Sequence, residues 1–414
     1  MVIVFAILLF SILIFLHELG HFMAAKLSKV RVNEFSIFMG PALVKWTRGE
    51  TLYAIRCIPI GGYCAMEGEN EDTDDPNSFQ KASWWKRLII LVAGSAMNFI
   101  AGLLLFAIVF AQSAMIGTPE IAEVESVQLL ADADGLQIGD KVLSVDDIPF
   151  TEDNKAELKQ LLLDGTAHNV VVLRELEEIA LQDLTITTVD TAWKQNGIQP
   201  GDRWEEINGE NVYISGDFEL LMSLAQDHKF DLVFDRNDEE IVFNDLLLQK
   251  GLFLDDGILT ERYGFSFAYE EATFGSVAGY VWNNSVDAVR NVRLSLQMLL
   301  SGQAGVQDVS GPVGIVQMMT ESVEETDSTA AAVNTLLLFG AFIAVNLAVM
   351  NLLPMPALDG GRVVGLLLVT AIEAVTNKKV NPKVEGYIHG IGMLLLLLLM
   401  AVIMFKDVWG IFAG

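Results

Sequence analysis

Four long apolar stretches constrain the fold of this chain more than any other feature. They cover residues 1–27, 88–112, 330–353 and 388–410, and each approaches the roughly 20 apolar residues that a helix needs to cross a bilayer. Within lipid, helices are the expected structure because the backbone has no water to bond. The first stretch lacks a basic start and contains ionisable residues, which argues against a signal peptide. We therefore predict a polytopic α-helical membrane protein with about four transmembrane helices.

The charged residues are segregated along the chain. The net charge is −28, and residues 113–330 hold 41 of the 54 acidic residues but 12 of the 26 basic ones. Such an acidic block should face water and should not bind nucleic acid, which needs basic patches. Basic residues mark the short segments 26–87 and 354–387 as cytoplasmic, so the acidic block is predicted outside. The basic residues in these two segments are Lys26, Lys29, Arg31, Lys45, Arg48, Arg56, Lys81, Lys86, Arg87, Arg362, Lys378, Lys379 and Lys383.

Two parts of the acidic block resemble each other at an offset of 62 residues. Residues 134–146 read Asp-Gly-Leu-Gln-Ile-Gly-Asp-Lys-Val-Leu-Ser-Val-Asp, and residues 196–208 read Asn-Gly-Ile-Gln-Pro-Gly-Asp-Arg-Trp-Glu-Glu-Ile-Asn. The offset is longer than solenoid periods, which favours two tandem domains. The glycine turns followed by a strand resemble the PDZ domains of bacterial envelope proteases, which commonly bind extended peptides at a sheet edge. We predict PDZ-like α+β domains at 113–180 and 181–268, with another small β domain as the alternative.

Residues 269–329 are predicted to contain a helix and a connector. Between residues 272 and 302, apolar residues are mixed with Arg290 and Arg293, a composition that suits a helix lying on the membrane surface. A helix packed on the second PDZ-like domain fits nearly as well.

The first apolar stretch contains the sequence His17-Glu18-Leu19-Gly20-His21. Residues four apart share one face of a helix, so both imidazoles can reach one metal ion. Glu18 points about 100° away from His17, which suits a general base better than a ligand. Three ionisable groups within a spanning helix are costly unless they are paired or bind a metal. The pattern therefore predicts a zinc (Zn²⁺) site, where water would become a nucleophile at neutral pH.

A third metal ligand is expected from another acid at membrane depth. Asp359 is the best candidate, because it follows Pro354 and Pro356 at the end of the third apolar stretch. The prolines should break the helix there, and Gly360 and Gly361 allow a close turn. Taken alone, Asp359 would more simply be a helix N-cap; paired with the histidine motif it becomes a ligand.

These motifs together resemble the site-2 family of intramembrane zinc metalloproteases, over nearly the whole chain. The two PDZ-like units favour the regulator-of-sigma-E subgroup. The matching elements are His17-Glu18-Leu19-Gly20-His21, Asn351-x-x-Pro-x-Pro-x-Leu-Asp-Gly, Ser-Gly-Pro-Val-Gly-Ile at 310–315, Ile-Pro-Ile-Gly-Gly-Tyr at 58–63, Phe-x-Lys-x-x-Trp-x-x-Arg at 79–87, and Ala-Gly-Ser-Ala-Met-Asn-Phe at 93–99.

The resemblance implies roles for the residues of the histidine motif and its partners. His17, His21 and Asp359 would hold Zn²⁺, while Glu18 would activate water and then protonate the leaving amine. Residues 28–87 would form a cytoplasmic-side region with a membrane-dipping β hairpin, although an ordinary cytoplasmic hairpin is the alternative. An unwound substrate would pair with the hairpin edge. It would be held by residues of the Ile-Pro-Ile-Gly-Gly-Tyr element and of the Asn351-x-x-Pro-x-Pro element. The implied substrate-binding residues are Gly61, Gly62, Tyr63, Asn351, Pro354 and Pro356.

The resemblance also implies substrates and a location. The substrates would be single-pass membrane proteins already trimmed by another protease, such as anti-sigma factors in the envelope stress response, and also signal-peptide remnants. The protein would lie in the bacterial inner membrane, in contact with the lipid bilayer, with its PDZ pair in the periplasm acting as a size filter.

Two other functions fit parts of the sequence. The chain could be a membrane-anchored PDZ scaffold with a structural or inactive metal site, but such a site has no need of Glu18 and would want a fourth protein ligand. The second of these functions is a transporter that relays protons through buried His and Asp residues. Tandem PDZ-like units fit a transporter poorly.

Overall fold

The computed structural model describes residues 2–69, 73–130, 135–225, 227–305, 309–376 and 382–413. Lys378 and Lys379, used above for orientation, and Asp134, at the start of the repeat, lie outside these ranges. The chain divides into two compact units. We call Met1–Ser113 with Thr273–Gly414 the helical unit, and Ala114–Ala272 the sheet unit.

Both units contain helices. In chain order they are α1 Val2–Leu27, α2 Trp84–Phe110, α3 Lys155–Leu162, α4 Ala192–Gln195, α5 Asp217–Ser223, α6 Phe274–Ser301, α7 Pro312–Glu324, α8 Thr329–Asn351, α9 Asp359–Thr376 and α10 Pro382–Ala413.

The strands form a hairpin in the helical unit and two sheets in the sheet unit. In chain order they are β1 Val32–Arg48, β2 Thr51–Met66, β3 Met115–Val124, β4 Val127–Leu129, β5 Lys141–Val145, β6 Ile148–Pro149, β7 Ala167–Arg174, β8 Glu177–Thr185, β9 Thr188–Asp190, β10 Arg203–Ile207, β11 Glu210–Asn211, β12 Lys229–Arg236, β13 Glu239–Leu247, β14 Gly251–Asp255, β15 Ile258–Arg262 and β16 Phe265–Glu271.

Four helices in the described part of the chain are long and apolar enough to cross a membrane: α1, α2, α8 and Gly386–Trp409 of α10. They match the four predicted stretches, so the prediction of a membrane protein with these spans is supported. Small residues let the spans approach closely. A Cβ on Gly20 of α1 would overlap the Ala93 carbonyl of α2, and a Cβ on Gly102 of α2 would lie 2.6 Å from Val345 of α8.

Two helices differ from the sequence-based predictions. The segment 354–387, predicted as a turn and a loop, contains α9; an acid in its first turn and an apolar run after Arg362 favour a helix there. The helix α6, which is predicted to lie on the membrane surface, makes contacts that the sequence did not indicate, because it packs against α2 and α8. Its Val281 and Ala288 are buried with Phe106 and Val345. The charged residues Asp287 and Arg290 pair with each other, which makes their burial tolerable.

The hairpin β1–β2 is a strongly bent antiparallel pair. The first half of β1 lies between the two halves of β2: Phe35 pairs with both Cys64 and Tyr53, and Ser36 pairs with both Tyr63 and Ala54. Among the described residues, the last part of β2 pairs with β1 on one side and with no strand on the other. The predicted hairpin is therefore present, and it has an open edge.

The sheet unit repeats its internal ion pairs at the 62-residue offset found in the sequence. Arg174 binds Asp140 through Nε (2.8 Å) and Nη2 (2.6 Å), and Arg236 binds Asp202 through the same atoms at 2.6 and 2.7 Å. Each arginine also donates to the backbone carbonyl of a turn glycine in its own repeat. These bidentate pairs hold the repeated Gly-Asp turns in one geometry.

The two sheets exchange strands across the sheet unit. One sheet has the order β8-β7-β5-β15-β14-β4-β9, with β6 on β5; the other has the order β13-β12-β10-β3-β16, with β11 on β10. The early strand β3 thus joins the later repeat, and the late hairpin β14–β15 joins the earlier one. The boundary predicted between the two PDZ-like domains, at residues 180 and 181, does not separate the two sheets. Each repeat is completed by strands from the other end of the unit.

At one buried position a titratable side chain in the first repeat is replaced by an apolar one in the second. His168 at the start of β7 corresponds to Phe230 in β12. The His168 ring lies between two carboxylates, with Nδ1 2.7 Å from Asp146 Oδ2 and Nε2 3.2 Å from Asp164 Oδ1, and Thr166 Oγ1 also lies 2.9 Å from Nε2. The bond to Asp146 raises the pKa of His168 above its usual value of 6.5, although burial opposes this, and the same bond lowers the pKa of Asp146.

We expect the first repeat to weaken as pH rises. A raised His168 pKa means that its stabilisation is complete below about 6.5 and is lost as pH increases through the folded-state pKa. The backbone N–H of Asn169 donates to Asp146 Oδ1 (2.9 Å), so its hydrogen-exchange protection reports this loss. Residue-resolved hydrogen exchange on the full-length protein in detergent should show that the protection of the Asn169 amide falls as the pH is raised above 6.

The second repeat supplies the matched control. There the N–H of Asp231 donates to Asn208 Oδ1 (2.8 Å), an acceptor that does not titrate. Comparing the two amides at each pH cancels the intrinsic pH dependence of exchange. His168→Phe should remove the difference between them; equal pH slopes at both amides of the wild-type protein would contradict the assignment.

Candidate metal centre

The two histidines of α1 face one point, as their spacing predicts. His17 Nε2 and His21 Nε2 lie 3.1 Å apart, and the rings meet edge to face. His21 Nδ1 lies 2.7 Å from the Ile90 carbonyl of α2, so that nitrogen carries the proton and Nε2 is left with its lone pair. His17 Nδ1 lies 3.5 Å from Asn351 Nδ2, at the long limit of a hydrogen bond.

Asp359 reaches the same point from a sharp turn between α8 and α9. Its Oδ2 lies 3.1 Å from His17 Nε2 and 3.2 Å from His21 Nε2. The turn is short, because α8 ends at Asn351 and α9 begins at Asp359. It is also tightly packed, since a Cβ on Gly360 would overlap the Leu352 carbonyl. The three predicted ligands, from distant parts of the sequence, are therefore brought together by the fold.

The geometry of these three atoms fits a metal ion better than a set of hydrogen bonds. Ligands of a tetrahedral zinc ion at about 2.0–2.1 Å would lie about 3.3–3.4 Å from one another, close to the 3.1–3.2 Å seen here. Asp359 Oδ2 is buried and has no hydrogen-bond partner among the described residues, despite its nearness to both nitrogens. Lone pairs directed at a common point, rather than at each other, explain both observations.

The group has three members among the residues that the structure describes: His17, His21 and Asp359. Structural zinc sites close with four protein ligands, whereas catalytic sites have three and keep one position open. The donor set, two imidazoles and one carboxylate, is one that zinc accepts. The centre thus resembles a catalytic site more than a structural one.

Glu18, which follows His17 in α1, lies beside the part of β2 that has the open edge. A Cβ on Gly62 would lie 3.7 Å from Glu18 Cγ, and the backbone of Cys64 interacts with the Glu18 carboxylate. A chain lying along the β2 edge would therefore pass close to Glu18. This placement suits a carboxylate that handles protons at the reacting bond.

The residues expected to bind substrate are placed unequally. Gly62 is beside Glu18, and Asn351 lies at the ring of His17. Gly61 has φ +78° and faces Met39, while Tyr63 OH accepts a hydrogen bond from Arg56, so both lie on the side of the strand away from Glu18. Pro354 and Pro356 lie in the turn before Asp359, where a Cβ on Gly392 of α10 would overlap Pro356. Their roles in binding substrate stay predictions.

Gly94 of α2 is a site residue that the sequence argument missed. A Cβ there would lie 2.8 Å from His17 Cε1 and would overlap His21 Nε2. The same helix supplies the Ile90 carbonyl that orients His21. The small residues Ala93, Gly94 and Ser95 within an apolar helix were a signal of close helix packing. They did not indicate that the packed neighbour would be the pair of imidazoles.

Comparisons with known proteins agree with this centre. The sequence profile described as Peptidase family M50 matches residues 5–399. The chain is 32% identical over 412 residues to a protein of Clostridium acetobutylicum named as a candidate zinc metalloprotease, covering 98% of this chain and 97% of the relative. It is 28% identical to the zinc metalloprotease RasP of Oceanobacillus iheyensis and 27% identical to the regulator of sigma-W protease RasP of Bacillus subtilis, covering 98% of both chains in each case.

Gly94→Ala should weaken zinc binding, because the added methyl group displaces the imidazoles that Gly94 now contacts. We expect a loss in affinity of about tenfold or more, the size seen when groups supporting a metal ligand are changed. Metal analysis of the purified protein, titrated against a zinc-buffering chelator, measures this directly.

Gly279→Ala is the matched control, since Gly279 is also within a helix and a Cβ there would meet nothing within 4 Å. It should bind zinc as the wild type does. An unchanged zinc affinity in Gly94→Ala would show that the imidazoles do not depend on the close approach of α2.

Proposed function

Because the chain belongs to peptidase family M50, the site-2 protease family of zinc metalloproteases, we propose that it cleaves single-pass membrane proteins at the centre described above. The observation that carries this proposal is the meeting of His17, His21 and Asp359 beside Glu18, at the open edge of a β hairpin. Hydrolysis needs a metal, a base and a way to hold the peptide extended. Each is available from residues that lie together.

We assign the zinc ligands as His17 Nε2, His21 Nε2 and a carboxylate oxygen of Asp359. Zinc bound there supplies a Lewis acid that polarises a carbonyl and lets water act as a nucleophile near neutral pH. The Ile90 carbonyl keeps the proton of His21 on Nδ1, so that Nε2 stays available. Asn351 is assigned to orient the ring of His17 and to contact substrate.

Glu18 is assigned the proton transfers. Its carboxylate accepts a proton from the attacking water and then donates it to the nitrogen of the leaving amine. A carboxylate one residue from a ligand, on an adjoining face of the same helix, reaches the water without occupying a ligand position. The nearby backbone of Cys64 helps to fix where that carboxylate points.

Substrate is proposed to bind as an extra strand on β2. A transmembrane helix satisfies its own peptide groups, so a bond within it can be cut only after local unwinding. The open edge at Gly61, Gly62 and Tyr63 offers the unwound segment new backbone partners. The breaks at Pro354 and Pro356 leave further backbone groups near the centre. In this proposal the hairpin dips into the membrane.

The proposed class of substrate is supported by the name of one relative. The Bacillus subtilis relative is named as a regulator of a sigma factor, sigma-W. We infer that this chain likewise cuts trimmed anti-sigma-factor-like proteins, with signal-peptide remnants as a second class. The chain is then an inner-membrane protein with the sheet unit in the periplasm. That unit, proposed to be a pair of interleaved PDZ-like domains, excludes substrates that carry a bulky outer domain.

Glu18→Gln should abolish cleavage while zinc stays bound. Gln cannot accept the proton, and we expect cleavage to fall by about 10²–10⁴-fold. The assay uses purified protein in detergent with a model single-pass substrate, together with metal analysis. His17→Ala, the control, should lose both zinc and activity; a Glu18→Gln protein that still cleaves would rule out the role assigned to this residue.

Removing the sheet unit should relax the size filter without removing the chemistry. The ends of the unit are adjacent, since the N–H of Ala272 donates to the Ala114 carbonyl (3.0 Å), so a short Gly/Ser linker can replace residues 115–271. The shortened protein should cut a substrate with a bulky outer domain about as fast as its trimmed form. The trimmed substrate is the control, with equal rates expected in both proteins; continued sparing of the bulky substrate would contradict a gating role.

A further inference from the structure

The substrate strand of the hairpin is held by its own backbone on one side only. Its Gly62 pairs with Ile37 of β1 and its Cys64 pairs with Phe35, and among the described residues no strand pairs with its other side. Two successive glycines, Gly61 and Gly62, give that part of β2 no side chains with which to pack. Something other than the ladder must fix the position of this edge relative to Glu18.

One side chain, Arg56, joins the separate parts of the hairpin. Its Nη2 donates to Glu34 Oε1 (2.6 Å) and to Tyr63 OH (2.7 Å). Its Nε donates to Ser36 Oγ (2.8 Å), and its Nη1 donates to the Gly40 carbonyl (2.6 Å). Arg56 and Glu34 each retain about a fifth of their side-chain exposure, so the pair is largely shielded from water. Such a planar, charge-paired fork fixes geometry as well as adding energy.

Arg56 braces the strand from the face opposite Glu18. Side chains alternate along a strand, so Gly62 faces Glu18 and its neighbour Tyr63 faces away. The Tyr63 hydroxyl, held by Arg56, anchors the strand at the residue next to Gly62. The Arg56 guanidinium also lies 5.4 Å from the centre of the Tyr63 ring. Arg56 thus stabilises the edge through Glu34, Ser36, Gly40 and Tyr63, none of which is a proposed metal ligand.

We propose that Arg56 is a positioning residue that sets the substrate-binding edge of β2 relative to Glu18, through its bonds to Tyr63, Glu34 and the Gly40 carbonyl. The inference rests on the proposed function, because it assumes that substrate binds along this edge. It assigns a function to a charged residue in the hairpin that the chemistry itself does not use. Its loss should impair substrate binding much more than proton transfer or zinc binding.

The test is steady-state cleavage of a model single-pass substrate by purified full-length protein carrying Arg56→Gln or Arg56→Lys. We expect KM to rise by about tenfold in Arg56→Gln, with kcat changed much less and zinc content unchanged, because a misplaced edge lowers the population of correctly bound peptide. Arg56→Lys keeps the charge beside Glu34 but not the fork, so its KM should be intermediate. Tyr63→Phe should raise KM by a smaller factor.

Arg48→Gln is the matched control, since Arg48 is an exposed arginine at the far end of the same strand pair, opposite Thr51. Its kinetic constants should match those of the wild type. A wild-type KM in Arg56→Gln, or a fall in kcat with KM unchanged, would overturn the proposal. Loss of zinc from both Arg56 variants would also overturn it, in favour of a general role in folding.

The same assay separates this inference from the proposed function. If the wild-type protein does not cleave, or Glu18→Gln cleaves normally, the proposed function fails. If the wild type is active, Glu18→Gln is inactive and Arg56→Gln has normal kinetics, the proposed function stands and the role of Arg56 alone is rejected.

Discussion

The meeting of two imidazoles and a carboxylate within an apolar helix bundle is the constraint on which the helical unit depends. A charged side chain at membrane depth costs roughly 2.5–3.5 kcal/mol or more when it lacks a partner. His17, His21 and Asp359 face one point, where a bound metal ion would offset that cost. To bring them there, α2 must pass so closely that Gly94 has no room for a side chain, and the chain must turn sharply between α8 and α9. Steric features far apart in the sequence thus follow from one electrostatic requirement.

In the sheet unit, ion pairs with buried aspartates fix the conformation of the repeated turns. The pairs Arg174–Asp140 and Arg236–Asp202 have nearly the same geometry in the two repeats. Because each repeat is completed by strands from the other end of the unit, neither repeat can unfold without disturbing its neighbour's sheet. Interleaving therefore makes one cooperative body of two similar modules. Such a cooperative body suits the size filter proposed for this unit.

The sequence predicted the elements whose signals are local. The four spans follow from hydrophobic length, the histidine pair from helical spacing, and the repeat from its glycine turns. Asp359 was also predicted, because a carboxylate beside two prolines needs a reason to lie at membrane depth. What the sequence did not predict depends on long-range packing. The closeness of Gly94 to the histidines, the packing of α6 on α2 and α8, and the strand exchange in the sheet unit each require knowing which distant segments become neighbours.

An ion pair also joins the hairpin region to α9, the helix that begins with Asp359. Arg362 lies one turn after Asp359 in α9 and pairs with Glu69, three residues beyond β2. Glu69 in turn accepts a hydrogen bond from the N–H of Met66 at the end of β2 (3.4 Å). The helix that carries a metal ligand and the strand proposed to carry substrate are thereby linked by an ion pair and a few residues of chain. Since Arg56 braces the same strand at Tyr63, the edge is fixed at two places, Tyr63 and Met66, and Gly62 beside Glu18 directly precedes the first of them. These two attachments let a glycine-rich edge stay open to a substrate backbone and still keep a fixed position relative to the proposed metal site.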